Sequence, residues 1–189
     1  MNLLIVPAPH RLSCVFFSKI CREKGYDIVL DVAENLRFVD FAFYGHIEKS
    51  IENEFLEKVE KLPNVHYCGV FTGNSDDTYR ELSRYDVMLL PSRWKNEGVP
   101  GIIVESKIAG IPAVVSDVGY FKDIVTDGFD GYVVHNIRDN YINALYKLLS
   151  YNEKKNMKKN LKISSENFFI DHYIYQILSF VNEEETYNY

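Results

Sequence analysis

Apolar residues along this chain fall into two alternating rhythms. Short unbroken runs, such as VFF at 15–17, VMLL at 87–90 and AVV at 113–115, are separated by longer segments with helical spacing. The runs predict strands over 13–20, 39–47, 65–71, 86–92, 111–117 and 131–134. Helices are expected between them. Ile28, Val29, Val32 and Leu36 share a face over 26–36, and Phe55, Val59 and Leu62 do so over 51–62. A third helix is expected over 75–85, with Ser75 as N-cap and acids in its first turn. A fourth ends over 104–110 with Gly110 just past its last turn. A short helix near 121–125 and helices over 138–150, 153–163 and 168–182 complete the pattern.

Alternating strands and helices imply an α/β fold: a Rossmann-like, doubly wound parallel sheet with helices on both faces. VMLL and IPAVV are apolar throughout, as strands covered on both faces are. A competing register makes LLIVPAP the first strand, with a helix over 12–25. The dense apolar run at 15–17 favours a strand there instead. The expected organisation is a leader or linker over 1–12 and a single domain over 13–189. In open sheets of this class, ligands sit at the carboxyl ends of the strands. The loops after residues 17, 45, 70, 91 and 117 are therefore the places for a site.

Composition narrows the function. Of 189 residues, 47% are hydrophobic and 25% charged, as in ordinary soluble domains. The net charge of −6 argues against a nucleic-acid partner. Basic EKKNMKKNLK at 153–162 and acidic VNEEETYNY at 181–189 read as solvated surface. Cys14, Cys21 and Cys68 lack C-x-x-C spacing, which fits a reducing compartment and gives no zinc motif. No apolar run reaches the roughly 20 residues of a membrane span, and the amino terminus lacks a signal-peptide pattern. A cytoplasmic location is expected, with room for peripheral membrane association. The fingerprints for dinucleotides, P-loop phosphates and the nucleophile elbow are absent.

Two loops carry chemistry. FFSKICREKGYD at 16–27 places Lys19 and Lys24, with Arg22, between a strand and a helix, where cations and helical N–H groups suit an anion such as a diphosphate. NEGVPGIIVES at 96–106 frames an apolar stretch with Glu97 and Glu105. Gly98 and Gly101 permit close backbone approach, and Pro100 suits a first helical turn. On one continuous helix the two carboxylates would stand about 12 Å apart. That exceeds the roughly 5–5.5 Å of a retaining glycosidase pair. They suit two parts of one long ligand, because a carboxylate accepts well from paired hydroxyls. SDVGYFKDIVTDGFDGYVV at 116–134 reads as structural, with Asp127-Gly128 and Asp130-Gly131 marking a hairpin-like turn.

Taken in order, these segments resemble the carboxy-terminal, nucleotide-sugar-binding domain of a GT-B glycosyltransferase of family 4, the glycosyltransferases group 1. FFSKICREKG, NVHYCGV and the long block from YDVMLLPSRWKNEGVPGIIVES to DGYVV carry the resemblance, with an E-x(7)-E motif at Glu97 and Glu105. It implies that Lys19 and Lys24 bind the donor diphosphate. It further implies that Glu97, the catalytic-site carboxylate, contacts the donor sugar, and that Glu105 holds the ribose. The amides of Gly98, Val99, Gly101 and Ile102, on either side of Pro100, would hold sugar and phosphate oxygens. The implied donor is a nucleoside-diphosphate sugar such as a UDP- or GDP-sugar, used without metal or other cofactor. The implied reaction is transfer of a hexose-type sugar with retention.

The chain departs from the family pattern at Ser18-Lys19 in place of Gly-Arg, at Ser106 in place of Ala, and at Tyr120 in place of a second Gly. At most a dozen residues precede the first strand, so an acceptor-binding domain is expected to come from elsewhere. The isolated chain is then expected to show little transferase activity. The alternative is a non-catalytic interaction module that keeps the fold, with Phe168, Phe169, Tyr173, Tyr175 and Phe180 facing a partner.

Overall fold

The computed structural model describes residues 11–169 together with 173 and 174. The expected leader up to residue 10, most of the 168–182 helix, the acidic 181–189 segment, Tyr175 and Phe180 lie outside the described residues. The elements run β1 (Ser13–Phe17), a 3-10 turn (Arg22–Lys24), α1 (Tyr26–Asn35), β2 (Asp40–Tyr44), α2 (Glu52–Lys61), β3 (Val65–Tyr67) and α3 (Ser75–Leu82). They continue with β4 (Val87–Leu90), α4 (Gly101–Ile108), β5 (Ala113–Ser116), α5 (Phe121–Ile124), β6 (Gly131–Val134), α6 (Arg138–Leu148) and α7 (Tyr151–Ser165). The strand at 13–17 and the helix at 26–35 decide against the competing register.

The six strands form one parallel sheet in the order β3-β2-β1-β4-β5-β6. The order reverses between β1 and β4, whose carboxyl ends therefore open a crevice. VMLL and AVVS are buried at every position, because helices cover both faces. Phe16, Phe41, Phe43, Phe55, Tyr26, Phe121 and Tyr141 are fully buried and dominate the core. Each contributes on the order of 1.5–3 kcal/mol by leaving water. Phe55 packs edge-on against Tyr26, Phe43 and Tyr67, which fastens α2 to the sheet.

Three local details differ from expectation. The cap of α3 is Asn74, one residue earlier than Ser75. Its side chain accepts from the Asp77 amide while Asp77 accepts from the Asn74 amide, a reciprocal box that Ser75 cannot form from inside the helix. Pro100 is the N-cap of α4 and lies outside its first turn. The 126–131 segment is a turn into a parallel strand, with no hairpin, in which Asp130 accepts from the Thr126 amide and Asp127 from the Val133 amide.

Gly110 does end α4 as expected. With φ 75° it lets its own amide reach the Lys107 carbonyl while the Ile111 amide reaches that of Ser106. Below this cap, Lys107 and Asp130 form a buried ion pair at 2.6 Å. Lys107→Ala leaves Asp130 buried without its counter-charge. It is expected to lower stability by about 3–5 kcal/mol, measured as the free energy of denaturant unfolding.

Candidate functional site

The crevice between β1 and β4 gathers most of the residues expected from the sequence. Lys24 ends the 3-10 turn after β1, and its ammonium meets Glu97 Oε1 at 2.5 Å. Only 17% of the Lys24 side chain and 10% of the Glu97 side chain are exposed. Glu97 is in the loop before α4, one residue short of Gly98. The single helix joining it to Glu105 therefore does not exist, and the spacing built on that helix is withdrawn. The other Glu97 oxygen, Oε2, accepts from the Ser92 hydroxyl at 2.8 Å. Trp94, 55% exposed, sits with its ring 5.7 Å from the Lys24 ammonium.

Gly98 and Gly101 face open space. A Cβ at either would meet nothing within 4 Å, and neither has a positive φ. The fold thus has no steric need for glycine there, whereas a ligand against the backbone has one. The amides of Gly98, Val99, Gly101 and Ile102 donate to no protein group among the described residues, and Ile103 is the first to bond back, to Pro100. The first turn of α4 carries no acidic residue. These orphan donors and the positive helix end form a surface suited to anionic or hydroxyl oxygens.

Glu105 projects from α4 half-buried and with no side-chain partner among the described residues. Burial pushes its carboxyl above the usual 4.5. Lys19 is less closely involved: its ammonium pairs with Glu48 at 2.9 Å in the open, which raises its pKa. Arg22 faces α2, where its Nη2 donates to both oxygens of Glu54. Cys21, Glu23 and Glu48 bring a thiol and two carboxylates within 4.8 Å of one another. Lys19 already neutralises Glu48 there, which opposes a cation. A pocket of about 480 Å³ opens past β2 and β3, lined by Tyr44, Val70, Phe71, Thr72, Arg80 and Arg84.

Two glycines decide whether this site can form. A Cβ on Gly25 would lie 2.0 Å from the Pro91 carbonyl oxygen, and one on Gly119 2.2 Å from that of Glu97. Both have positive φ, 77° and 52°. Tyr120, by contrast, is 60% exposed. The glycine is retained where contact demands it, and the Tyr stands where the fold leaves room. Arg93 reinforces the first approach. It grips Asp27 with two parallel bonds of 2.7 and 2.8 Å and donates to the Arg22 carbonyl, while its amide donates to that of Glu23. Ser92 falls within the quoted family block but is given no role there, and Arg93 and Asn136 are not singled out, because a lone Arg or Asn has no signature of its own.

The family model described as "Glycosyl transferases group 1" matches residues 11–151. The UDP-Gal:alpha-D-GlcNAc-diphosphoundecaprenol alpha-1,3-galactosyltransferase of Escherichia coli is 34% identical over 139 residues, 73% of this chain and 35% of that protein. An uncharacterized 41.2 kDa protein in the cps region of Klebsiella pneumoniae is 30% identical over 125 residues, 66% of this chain and 33% of that protein. The chain thus spans about a third of the curated relatives it matches. Among solved structures, the C-terminal domain of the glycosyl transferase group 1 family protein LpcC from Francisella tularensis superposes with a TM-score of 0.72 at 16% identity. That match covers 85% of this chain and 93% of LpcC's solved domain. HepE from Anabaena, in complex with UDP-glucose, superposes at 0.76 with 19% identity over 92% of this chain and 49% of that one. The fold is that of the carboxy-terminal half of a GT-B glycosyltransferase.

Two predictions test this geometry. Gly25→Ala drives a methyl group into the Pro91 carbonyl at a strained φ. It is expected to cost at least about 1–3 kcal/mol, read from denaturant unfolding. Glu105 carries an ionisation penalty in the folded state only, since its folded pKa lies above its unfolded one. That penalty acts at neutral pH and is relieved as pH falls through the folded pKa. Glu105→Gln is therefore expected to melt higher than the parent at pH 7, with the two curves converging below about pH 4.

Proposed function

The chain belongs to the glycosyl transferases group 1 family, and on that premise we propose that it is the donor-binding half of a retaining glycosyltransferase. Its donor is a nucleoside-diphosphate hexose. The observation that carries this reading is the row of amides at Gly98, Val99, Gly101 and Ile102, which donate to no group among the described residues, set between Glu97 and Glu105. A ligand lying along that row places a sugar against Glu97, a diphosphate against the amides and Lys24, and a ribose against Glu105. The UDP-glucose complex of HepE, a fold relative, supports the ligand class.

The chemistry follows from charge. Breaking the bond between the anomeric carbon and the diphosphate oxygen leaves negative charge on the diphosphate. Lys24, the α4 amino end and, after release from Glu48, Lys19 offset it. Lys19 offers a point charge without the two-pronged fork of arginine. Glu97 accepts from sugar hydroxyls beside the reacting carbon. Phe71 and the pocket behind it suit the base. Transfer also needs an acceptor and a surface that closes over the crevice and excludes water. The Escherichia coli relative is named for an acceptor of GlcNAc on diphosphoundecaprenol, a lipid-linked sugar, which supports peripheral contact with a membrane.

Calorimetric titration with UDP, GDP and their hexose conjugates tests the reading. At least one is expected to bind saturably, and equally well with a chelator present. Glu105→Ala is expected to weaken it about ten- to a hundredfold, the loss of charged hydrogen bonds of about 1.5–3 kcal/mol. No binding of any of these at millimolar concentration would sink the proposal.

A further inference from the structure

Glu97 can address a sugar only if its carboxylate is held in one orientation, and the residues that hold it are not part of the E-x(7)-E pair. Building on the donor-site reading above, we propose that Ser92 and Asn136 are positioning residues. They aim Glu97 at the donor sugar through a relay joining the ends of β4, β5 and β6.

Ser92 is fully buried at the end of β4. Its hydroxyl has one proton and three polar neighbours: Glu97 Oε2 at 2.8 Å, the Glu23 carbonyl at 3.3 Å and the Trp94 amide at 3.3 Å. The shorter distance and the negative charge assign the proton to Glu97. The Trp94 amide then donates into the hydroxyl oxygen. The Ser92 carbonyl is itself held, by the Ser116 hydroxyl at 2.6 Å and by Asn136 Nδ2 at 3.1 Å.

Asn136 follows β6 and also donates to the Pro91 carbonyl at 3.1 Å. Its oxygen accepts from the hydroxyl of Tyr141, a fully buried residue, at 3.4 Å. Two carbonyls on one side and a hydroxyl on the other leave a single sensible orientation for this amide. Asn136 thereby sets where Ser92 stands, and Ser92 sets where Glu97 points.

The relay matters because Lys24 serves two masters. Lys24 holds Glu97 Oε1. A bound diphosphate recruits the same ammonium and loosens that hold. Ser92 then remains as the restraint that keeps the carboxylate from turning about its last bond. Each carboxylate oxygen keeps a free lone pair for a sugar hydroxyl.

The test compares two dissociation constants, for a nucleotide sugar and for its nucleoside diphosphate, in the whole chain. Ser92→Ala removes the proton donor, and Asn136→Asp turns a carboxylate against two carbonyls. In both, the ratio of the sugar-nucleotide constant to the diphosphate constant is expected to rise about fivefold or more. The diphosphate constant itself stays within about twofold, as a merely destabilised fold would not allow. Asn140→Ala, which breaks only a bond to the His135 carbonyl, leaves the ratio unchanged. An unchanged ratio in a folded Ser92→Ala or Asn136→Asp protein overturns the proposal. So does the failure of both variants to fold, which assigns the two residues to stability alone. A parent chain that binds no nucleotide overturns the donor-site reading instead, and this inference with it.

Discussion

The contact between the turn at Gly25 and the carbonyl of Pro91 governs the rest of this crevice. A parallel sheet sets neighbouring strands less than 5 Å apart, but it does not dictate how the loops beyond them meet. Here the loop after β1 and the loop after β4 touch backbone to backbone, at a distance that no side chain survives. Lys24 immediately precedes the glycine, and Glu97 follows the proline by six residues. Their ion pair is a consequence of that approach. Arg93 adds a second fastening across the same seam, with a planar guanidinium matched to the Asp27 carboxylate.

Helix α4 is treated differently at its two ends, and the contrast has functional meaning. Its carboxyl end is tied down by the Gly110 cap and by the buried Lys107–Asp130 pair, which reaches across to the turn before β6. Its amino end is left with amides that have no acceptor among the described residues, no acid in the first turn and two glycines with no described atom within 4 Å of an added Cβ. A helix whose hydrogen-bonding needs are met at one end and left open at the other can receive an anion without reorganising. The half-buried Glu105 adds an ionisation penalty of its own. Stability is given up at the residues that would touch a ligand.

Much of the fold was legible because burial imposes periodicity. VMLL and AVVS could be assigned as interior strands, since covering a strand on both faces leaves no polar position. Gly110 could be placed because only a residue tolerant of positive φ ends a helix in that way. Boundaries were less legible where side chains compete locally: Asn74 and Ser75 are both good caps, and only the reciprocal bond with Asp77 separates them. The 126–131 turn looked like a hairpin because Asp-Gly pairs serve many turns. Asn64, noticed only as part of NVHYCGV, proves to be a buried clasp, its two amide protons shared among the carbonyls of Ala33, Leu36 and Val39 where α1 turns into β2.

The sequence by itself determined the class of fold, the strand ends where a ligand belongs, and the residue types gathered there. Those follow from hydrophobic spacing and from the E-x(7)-E block, which are local properties of the chain. Only the tertiary structure decided which of those residues meet. It joined Lys24 to Glu97, sent Lys19 to Glu48 and Arg22 to Glu54, and brought Asn136, from the loop after β6, onto the Ser92 carbonyl in the loop after β4. Pairing between residues that lie 66 and 73 positions apart in the chain depends on strand order and on backbone contact at glycine. Neither leaves a periodic trace in the sequence.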